Sequence, residues 1–185
     1  NGIDINQIKI IQKDRIIPII NSIEELKLLN KVSRNSKSKI KIGVHIDSGI
    51  NRLGIKIKDL KEFNKNELNV VLLLSHLASS DEKNNDYNNY QNINFSKAFI
   101  NFKSAKYKSL VNSMGIMLNK KFHYDITRPG ISLYGGHFNT NLKKIIKPVI
   151  KLKARVLQIK KLEKNEFIGY NQTYKTSKPT TIAIL

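Results

Sequence analysis

Short apolar runs alternate with stretches of helical spacing along the first two thirds of the chain, and this alternation constrains the fold more than any other feature. The runs lie at 16–20, 40–46 and 70–74, and polar or glycine-bearing segments recur after them. Such runs are typical of strands buried in a parallel sheet. The alternation therefore predicts an α/β fold built from β/α units, a partial β/α barrel.

The helices between the runs also have sequence signals. Pro18 must lie at the start or the edge of its strand, because it cannot donate a ladder hydrogen bond. Ser22 and Glu25 form a capping box ahead of an apolar stripe, Ile23, Leu26, Leu29 and Val32, which predicts a helix. A short helix is expected near 59–64. Two more strand ends are expected at 109–113 and 124–127.

The segment 79–92 is rich in Asn and is predicted to be a polar loop. Its carboxylates, Asp81, Glu82 and Asp86, are then solvated and not catalytic. A helix is expected after the loop, with an apolar stripe formed by Phe95, Ala98, Phe99 and Phe102.

The pattern changes after about residue 139. Residues 150–156 alternate strictly between apolar and basic, which predicts a half-exposed antiparallel strand. We therefore expect a partial barrel at 1–140, a joint at 141–146 and the start of a β domain at 147–185. The last residues, 182–185, are expected to lie within a strand.

The net charge of +19 raises the alternative of a nucleic-acid-binding module. Most of the 33 basic residues are Lys, however, and they are dispersed along the chain, with Ile and Asn also abundant. A base-reading surface favours the planar fork of Arg, so compositional drift is the preferred interpretation. Cys is absent, which excludes disulfides and thiolate metal sites and fits a cytoplasmic protein. No apolar run approaches the roughly 20 residues that cross a bilayer.

Four segments follow predicted strand ends, where a β/α barrel has its active face. Arg52, in the loop 47–54, is either an anion contact or a solvated Arg in a turn. His76 is a candidate acid, base or relay, with a structural histidine as the alternative. His123 and His137 are expected on loops or the surface.

The other two segments suit a phosphate. Asn112 and Ser113 precede Gly115 at a candidate helix start, where small residues and unbonded amides form a phosphate cradle. Arg128 precedes a Pro, and we expect the Gly130 and Ile131 amides to be available to a ligand. An ordinary turn is the alternative for both. We predict no metal site.

Taken together, these segments resemble the alanine racemases over nearly the whole chain. Residues 47–54 resemble the family's Asp-Thr-Gly-Met-x-Arg-Leu-Gly, and 75–81 its Thr-His-Phe-Ala-x-Ala-Asp. Residues 128–136 resemble Arg-Pro-Gly-Ile-x-Leu-Tyr-Gly, and 168–174 resemble Val-Gly-Tyr-Gly-Gln-Thr-Tyr. Asn112 and Ser113 match the family's Asn-Ser.

The resemblance implies a (β/α)8 TIM-type barrel, of which this chain has the later units, followed by a mainly-β C-terminal domain. It implies pyridoxal 5'-phosphate as cofactor and racemisation of L-alanine to D-alanine, in a bacterial cytoplasmic homodimer that supplies cell-wall D-alanine. By motif, Arg128 would bond the pyridine nitrogen and keep it unprotonated, which weakens the electron sink. His76 would support Arg128, and Arg52 would contact the substrate carboxylate. The phosphate would lie on Ser113, Gly130 and Ile131, beside Asn112.

The chain also departs from the family. The segments with the Schiff-base Lys and the Tyr base have no counterpart here, so no catalytic residue is assigned, and we expect an internal fragment that is inactive alone. Many members place a carbamylated Lys, which orients the substrate Arg, where this chain has His45; Asn171 replaces a Gly. The alternative to a racemase fragment is an inactive, truncated or decayed remnant, and serine or another small amino acid stays open as substrate.

Overall fold

The computed structural model describes residues 3–34, 40–62, 68–137 and 140–185. The chain packs as two compact units, Asn1–Val149 and Ile150–Leu185. The α-helices are α1 (Ile8–Lys13), α2 (Ile23–Arg34), α3 (Asp86–Lys97) and α4 (Thr140–Ile145). The strands are β1 (Ile19–Ile20), β2 (Lys41–Asp47), β3 (Ile55–Lys56), β4 (Asn69–Leu74), β5 (Tyr107–Ser109), β6 (Gln158–Leu162), β7 (Phe167–Ile168), β8 (Tyr174–Lys175) and β9 (Thr180–Ile184).

The first unit is built on a parallel sheet in the order β1-β2-β4-β5, with β3 paired to the end of β2. Its strands supply apolar side chains with no exposed surface, among them Ile20, Val44 and Leu73. The predicted β/α arrangement is confirmed, and Pro18 immediately precedes β1 as its chemistry requires. Because all strands are parallel, their carboxyl ends lie at one edge of the sheet.

The predicted capping box begins α2, with one difference. The Ser22 hydroxyl accepts from the Glu25 amide at 3.2 Å. The Glu25 carboxylate accepts from the Asn21 amide at 2.6 Å, one residue earlier than the reciprocal bond that the motif predicts. Leu26 and Leu29 are fully buried on the inner face of the helix.

The short helix expected near 59–64 is a 3-10 helix at Ile57–Glu62, and the remainder of that prediction lies outside the described residues. The strand end expected at 109–113 corresponds to β5 and to an isolated parallel bridge between Asn112 and Arg128. No strand is described at 124–127.

The prediction of a polar loop across 79–92 is wrong in its second half, because α3 begins at Asp86. Asn85 caps the helix by accepting from the Tyr87 amide at 2.9 Å. The helix turns polar amides inward, since Asn88 and Gln91 are buried beside Phe95. A pattern read only from apolar residues therefore missed its first two turns. The loop carboxylates Asp81 and Glu82 are exposed, as expected.

In the second unit, the strand predicted at 150–156 is wrong. Its strands are β6, paired antiparallel with β9, and β7, paired with β8. Residues 150–156 pair with no strand that the structure describes, and alternation alone cannot form a ladder without a partner. The Thr176 hydroxyl, just after β8, donates to the Glu163 carbonyl, before β7, at 2.6 Å, and so joins the two ends of the β7–β8 hairpin.

The described helices include none long and apolar enough to cross a membrane. The predicted domain boundaries stay a prediction; within them, α4 covers most of the predicted joint at 141–146.

Candidate functional site

Arg128 lies at the carboxyl edge of the sheet and joins three of its elements. Its guanidinium donates through one terminal nitrogen to the Ser109 hydroxyl at the end of β5, and through the other to the Ser75 carbonyl after β4. The Ser109 hydroxyl donates onward to the Ile126 carbonyl at 2.6 Å. Burial lowers the pKa of Arg128, which nevertheless stays a cation at neutral pH. The side chain is thus a fixed positive charge in a partly buried position.

A buried polar chain that the sequence did not reveal supports Ser75. The Gln91 amide donates to Ser48 at 3.3 Å, and the Ser48 and Ser75 hydroxyls lie 2.7 Å apart. Ser75 donates to the Ile46 carbonyl at 2.7 Å, so its single proton is used there and Ser48 is the donor between the two hydroxyls. The only signal for Ser48 and Ser75 in the sequence was a small polar residue at or near the end of an apolar run.

Gln91 also fixes the segment after β4. Its carbonyl oxygen accepts from the Ala78 amide at 2.7 Å, and its amide donates to the His76 carbonyl at 3.0 Å. One side chain of α3 thus holds both sides of the turn that presents His76.

His76 faces the loop after β5. Its Nε2 lies 3.4 Å from the Asn112 side-chain nitrogen. Burial, followed by the charges of Arg128 and Arg52, holds the pKa of His76 below its ordinary value. His76 is therefore neutral at pH 7. The charge of Arg128 acts on the His76 ring, but no direct hydrogen bond joins the two side chains in the part of the chain that the structure describes.

Asn112 has a structural role of its own. Its carbonyl oxygen accepts from the Met114 amide at 3.1 Å and the Gly115 amide at 3.0 Å, and from the Ser80 hydroxyl at 2.9 Å. These bonds start the 3-10 turn Gly115–Met117. The side chain thus shapes the loop in which Ser113 lies.

Ser113 joins this loop to the turn after Arg128. Its hydroxyl oxygen accepts from the Gly130 amide at 2.8 Å and the Ser132 amide at 3.3 Å. The expectation that the Gly130 amide is available to a ligand is therefore wrong, since Ser113 uses it. The Ile131 amide bonds to no residue within the described part of the chain.

The space beside this turn is open. A Cβ built on Gly130 would meet nothing within 4 Å, and Gly130 and Ile131 are exposed. Because the Ser113 oxygen accepts two N–H bonds, its own O–H is left to donate. A donating hydroxyl and an unbonded amide beside open space suit an oxyanion.

Arg52 lies in the loop between β2 and β3, and its side chain is exposed. Asp47 holds this loop by accepting from the Gly49 amide at 3.0 Å and the Asn51 amide at 3.1 Å. The charge of Arg52 contributes to lowering the pKa values of both His45 and His76. Arg52 is thus electrostatically coupled to the same group of residues as Arg128.

The edge of the sheet therefore brings together the predicted residues of three segments, those of His76, Ser113 and Arg128, while Arg52 of the fourth acts on His76 through its charge. His123, by contrast, bonds the Ile116 carbonyl at 2.9 Å, as a structural loop histidine does. No group of three side chains suited to a metal ion is found among the described residues.

The chain is similar to known proteins over nearly its whole length. Residues 1–137 match the family model for the alanine racemase N-terminal domain, and 149–185 match that for the alanine racemase C-terminal domain. An alanine racemase of Rickettsia bellii is 32% identical over 176 residues, covering 92% of this chain and 43% of the relative. That of Rickettsia canadensis is 31% identical over 175 residues, covering 92% of this chain and 47% of the relative.

Solved structures show the same fold. The alanine racemase of Bartonella henselae with covalently bound pyridoxal phosphate has a TM-score of 0.81 and 28% identity, covering 99% of this chain and 52% of that one. The biosynthetic alanine racemase of Pseudomonas aeruginosa, at 22% identity and a TM-score of 0.77, shares the fold, covering 98% of this chain and 52% of that one. The chain spans about half the length of the relatives it matches.

Proposed function

Because the chain belongs to the alanine racemase family, we propose that it is the cofactor-holding part of an enzyme that interconverts L- and D-alanine with pyridoxal 5'-phosphate. The observation that carries the proposal is the oxyanion cradle at Ser113 and Ile131, next to the fixed cation Arg128. The cofactor supplies an electron-withdrawing ring that loosens the α-hydrogen of the amino acid. The residues of this chain bind and orient the reacting molecules.

The phosphate would be held by Ser113 and Ile131, with Gly130 leaving space for it. The Ser113 hydroxyl has its proton available, and the Ile131 amide has no bond to a described residue. The Gly130 amide contributes indirectly, since it fixes the Ser113 oxygen. Asn112 would contribute indirectly, because its side chain shapes the loop that places Ser113 in the cradle.

Arg128 would face the pyridine nitrogen. Its terminal nitrogens direct three of their four N–H groups to Ser109, Ser75 and the Leu110 carbonyl, so Nε–H and one terminal N–H remain for a ligand. A group that is already a cation cannot give up a proton at neutral pH, so the ring nitrogen would stay unprotonated. His76, which is neutral, leaves this charge uncompensated.

Arg52 would bind the substrate carboxylate, because its exposed guanidinium offers a bidentate contact and its charge acts on His76. Neither base that moves the proton is assigned to a residue of this chain. We propose that the whole enzyme is a cytoplasmic homodimer whose D-alanine serves cell-wall synthesis, and we expect the isolated 185-residue chain not to racemise L-alanine above background.

The proposal is tested by comparing two ligands that cannot form an imine with the many lysines, pyridoxine 5'-phosphate and pyridoxine. Calorimetric titration of the chain should show the phosphorylated ligand binding at least tenfold more tightly, since charge-assisted bonds contribute about 1.5–3 kcal/mol each. Inorganic phosphate should compete. Equal affinity for the two ligands would contradict the cradle, and racemisation by the chain alone would contradict the missing bases.

A further inference from the structure

One face of helix α3 contacts the loop that carries Arg52. Tyr87 and Asn94 lie about two helical turns apart, so their side chains point to the same side of α3. The Tyr87 hydroxyl donates to the Gly49 carbonyl at 2.8 Å. The Asn94 side-chain amide donates to the Ser48 carbonyl at 3.3 Å. Two consecutive residues of the loop are therefore held by a helix from a distant part of the chain.

The backbone at Gly49 allows the Tyr87 hydroxyl to approach closely. Gly49 has a φ of +139°, a conformation that favours glycine, and a Cβ there would lie 2.8 Å from the Tyr87 oxygen. The Gly49 carbonyl also accepts from the Asn51 side-chain amide at 3.3 Å. Because a carbonyl oxygen has two lone pairs, the two donors do not compete. The Gly49 carbonyl therefore connects Tyr87 to the residue directly before Arg52.

Asn51 transmits this contact to Arg52. Its backbone is left-handed, with a φ of +52°, and its amide donates to the Asp47 carboxylate at 3.1 Å. The bond to Asp47 is internal to the loop, whereas the bond from Tyr87 ties the loop to another element of the fold. Arg52 is exposed, and its guanidinium bonds to no residue in the described part of the chain. Its position therefore depends on the backbone that carries it.

We propose that Tyr87 is a positioning residue, which ties the loop to α3 through the Gly49 carbonyl and so fixes the position of Arg52 relative to His76. Gln91, one turn after Tyr87 on the same helix, donates to the His76 carbonyl at 3.0 Å. One helix thus holds both segments, and Tyr87 touches no reacting atom. That Arg52 binds the carboxylate of alanine rests on the proposed function; its placement by Tyr87 does not.

The ionisation of His76 responds to the position of Arg52. Burial, and then the charges of Arg128 and Arg52, lower the pKa of His76. A more distant Arg52 acts less strongly on the ring. We expect the pKa of His76, followed by NMR during a pH titration of the chain, to rise in Tyr87→Phe, in the same direction as in Arg52→Met. Phe removes only the hydroxyl and keeps the stacking on Tyr90, with ring centroids 5.2 Å apart.

Tyr90→Phe is the matched control, because it removes the hydroxyl of the neighbouring exposed ring, which bonds to no residue that the structure describes. It should leave the pKa of His76 at the parent value. In an Arg52→Met background, Tyr87→Phe should cause no further change, because the charge that it displaces is gone. The proposal would be overturned if the pKa of His76 were the same in the parent and in Tyr87→Phe. It would also be overturned by an equal shift with and without Arg52, which would show that α3 had loosened around His76.

Acetate, as a carboxylate probe, provides a second measurement. In NMR titrations it should bind about threefold or more weakly to Tyr87→Phe than to the parent, since a displaced guanidinium loses part of a charge-assisted contact. Tyr90→Phe should bind acetate like the parent, and equal affinity in Tyr87→Phe would contradict the positioning role. Neither measurement involves the cofactor, so a chain that binds no pyridoxine 5'-phosphate would contradict the proposed function and leave the role of Tyr87 to be judged on its own.

Discussion

The Ser113 hydroxyl oxygen lies 2.8 Å from the backbone nitrogen of Gly130, seventeen residues later in the chain. This bond ties the loop after β5 to the turn after Arg128, so the two segments that form the proposed cradle cannot move independently. It also explains why the cradle presents a hydroxyl proton and the Ile131 amide, and not the Gly130 amide that the sequence suggested.

Ser113→Ala should therefore weaken both the cradle and the turn. We expect pyridoxine 5'-phosphate to bind at least tenfold more weakly, and the free energy of unfolding to fall by about 1–3 kcal/mol, because the Gly130 and Ser132 amides lose two hydrogen bonds that contribute about 0.5–1.5 kcal/mol each. Ser96→Ala is the control, since Ser96 is exposed on α3 and bonds only the Ile93 carbonyl. Calorimetry and urea unfolding check the two effects. Unchanged affinity in Ser113→Ala would remove Ser113 from the phosphate site.

Gly130→Ala should separate binding from stability. A Cβ at Gly130 meets nothing within 4 Å, so the fold should lose little stability, within about 1 kcal/mol. The methyl group would fill the space proposed for the phosphate, and affinity for pyridoxine 5'-phosphate should fall at least tenfold. Parent-like affinity would place the phosphate elsewhere.

Gly135→Ala is the contrasting variant. Gly135 has a φ of +93°, and its Cβ would lie 2.3 Å from Pro148 Cα, a backbone atom. Urea unfolding should show a loss of more than about 1 kcal/mol, because both strain and a steric clash oppose the side chain. Equal stability of the Gly130 and Gly135 variants would contradict this packing.

A feature of the fold could be predicted from the sequence only where it depends on neighbouring residues in the chain. The strands of the first unit were predicted because their apolar runs are continuous, and Pro18 sets a limit on β1 by its own chemistry. The start of α3 was missed because Asn88 and Gln91 are buried through hydrogen bonds, which an apolar pattern does not register. The strand at 150–156 was wrong because strand formation requires a partner that periodicity does not supply.

The candidate site shows the same division. Arg52, His76, Ser113 and Arg128 were predicted because each lies in a short motif after a strand end. Ser75 and Ser109, which hold the Arg128 guanidinium, were missed because their importance arises only when three elements converge. The bond of Ser113 to the Gly130 amide likewise joins segments that no motif links.

The stability of the chain should depend on the protonation of His45. Burial, and then the charges of Arg128, His76 and Arg52, lower the pKa of His45 to about 4, from 6.5 for an ordinary histidine. Between these values the unfolded chain binds more protons than the folded chain, so the contribution of His45 to stability is lost as the pH falls from about 6.5 to 4. His76, whose pKa is also lowered, acts with the same sign.

Urea unfolding at several pH values between 4 and 7.5 measures this dependence. His45→Gln should remove about 2 kcal/mol of the difference between the two ends of the range. Replacing His123 with Gln serves as the control, because His123 occupies a separate loop. If the parent and His45→Gln show the same slope between pH 4 and 6.5, the imidazole is not buried in its neutral form.

Gln91→Leu tests whether the buried polar chain holds the site in place. The substitution leaves the Ala78 amide and the His76 carbonyl without their partner and takes a donor from Ser48. We expect the free energy of unfolding to fall by about 2–4 kcal/mol, because each abandoned buried group costs about 1–3 kcal/mol and some regain water.

Asn89→Leu is the matched control for this variant, since it makes the same kind of change at an exposed position of α3 and should alter stability by about 0.5 kcal/mol or less. The NMR resonances of His76 should shift in Gln91→Leu and stay in place in Asn89→Leu, because Gln91 holds the turn that presents His76. If stability falls in Gln91→Leu but the His76 resonances do not move, Gln91 stabilises the core without holding His76 in place. The contacts of Arg128 and Ser113 would then be sufficient to place the residues around them.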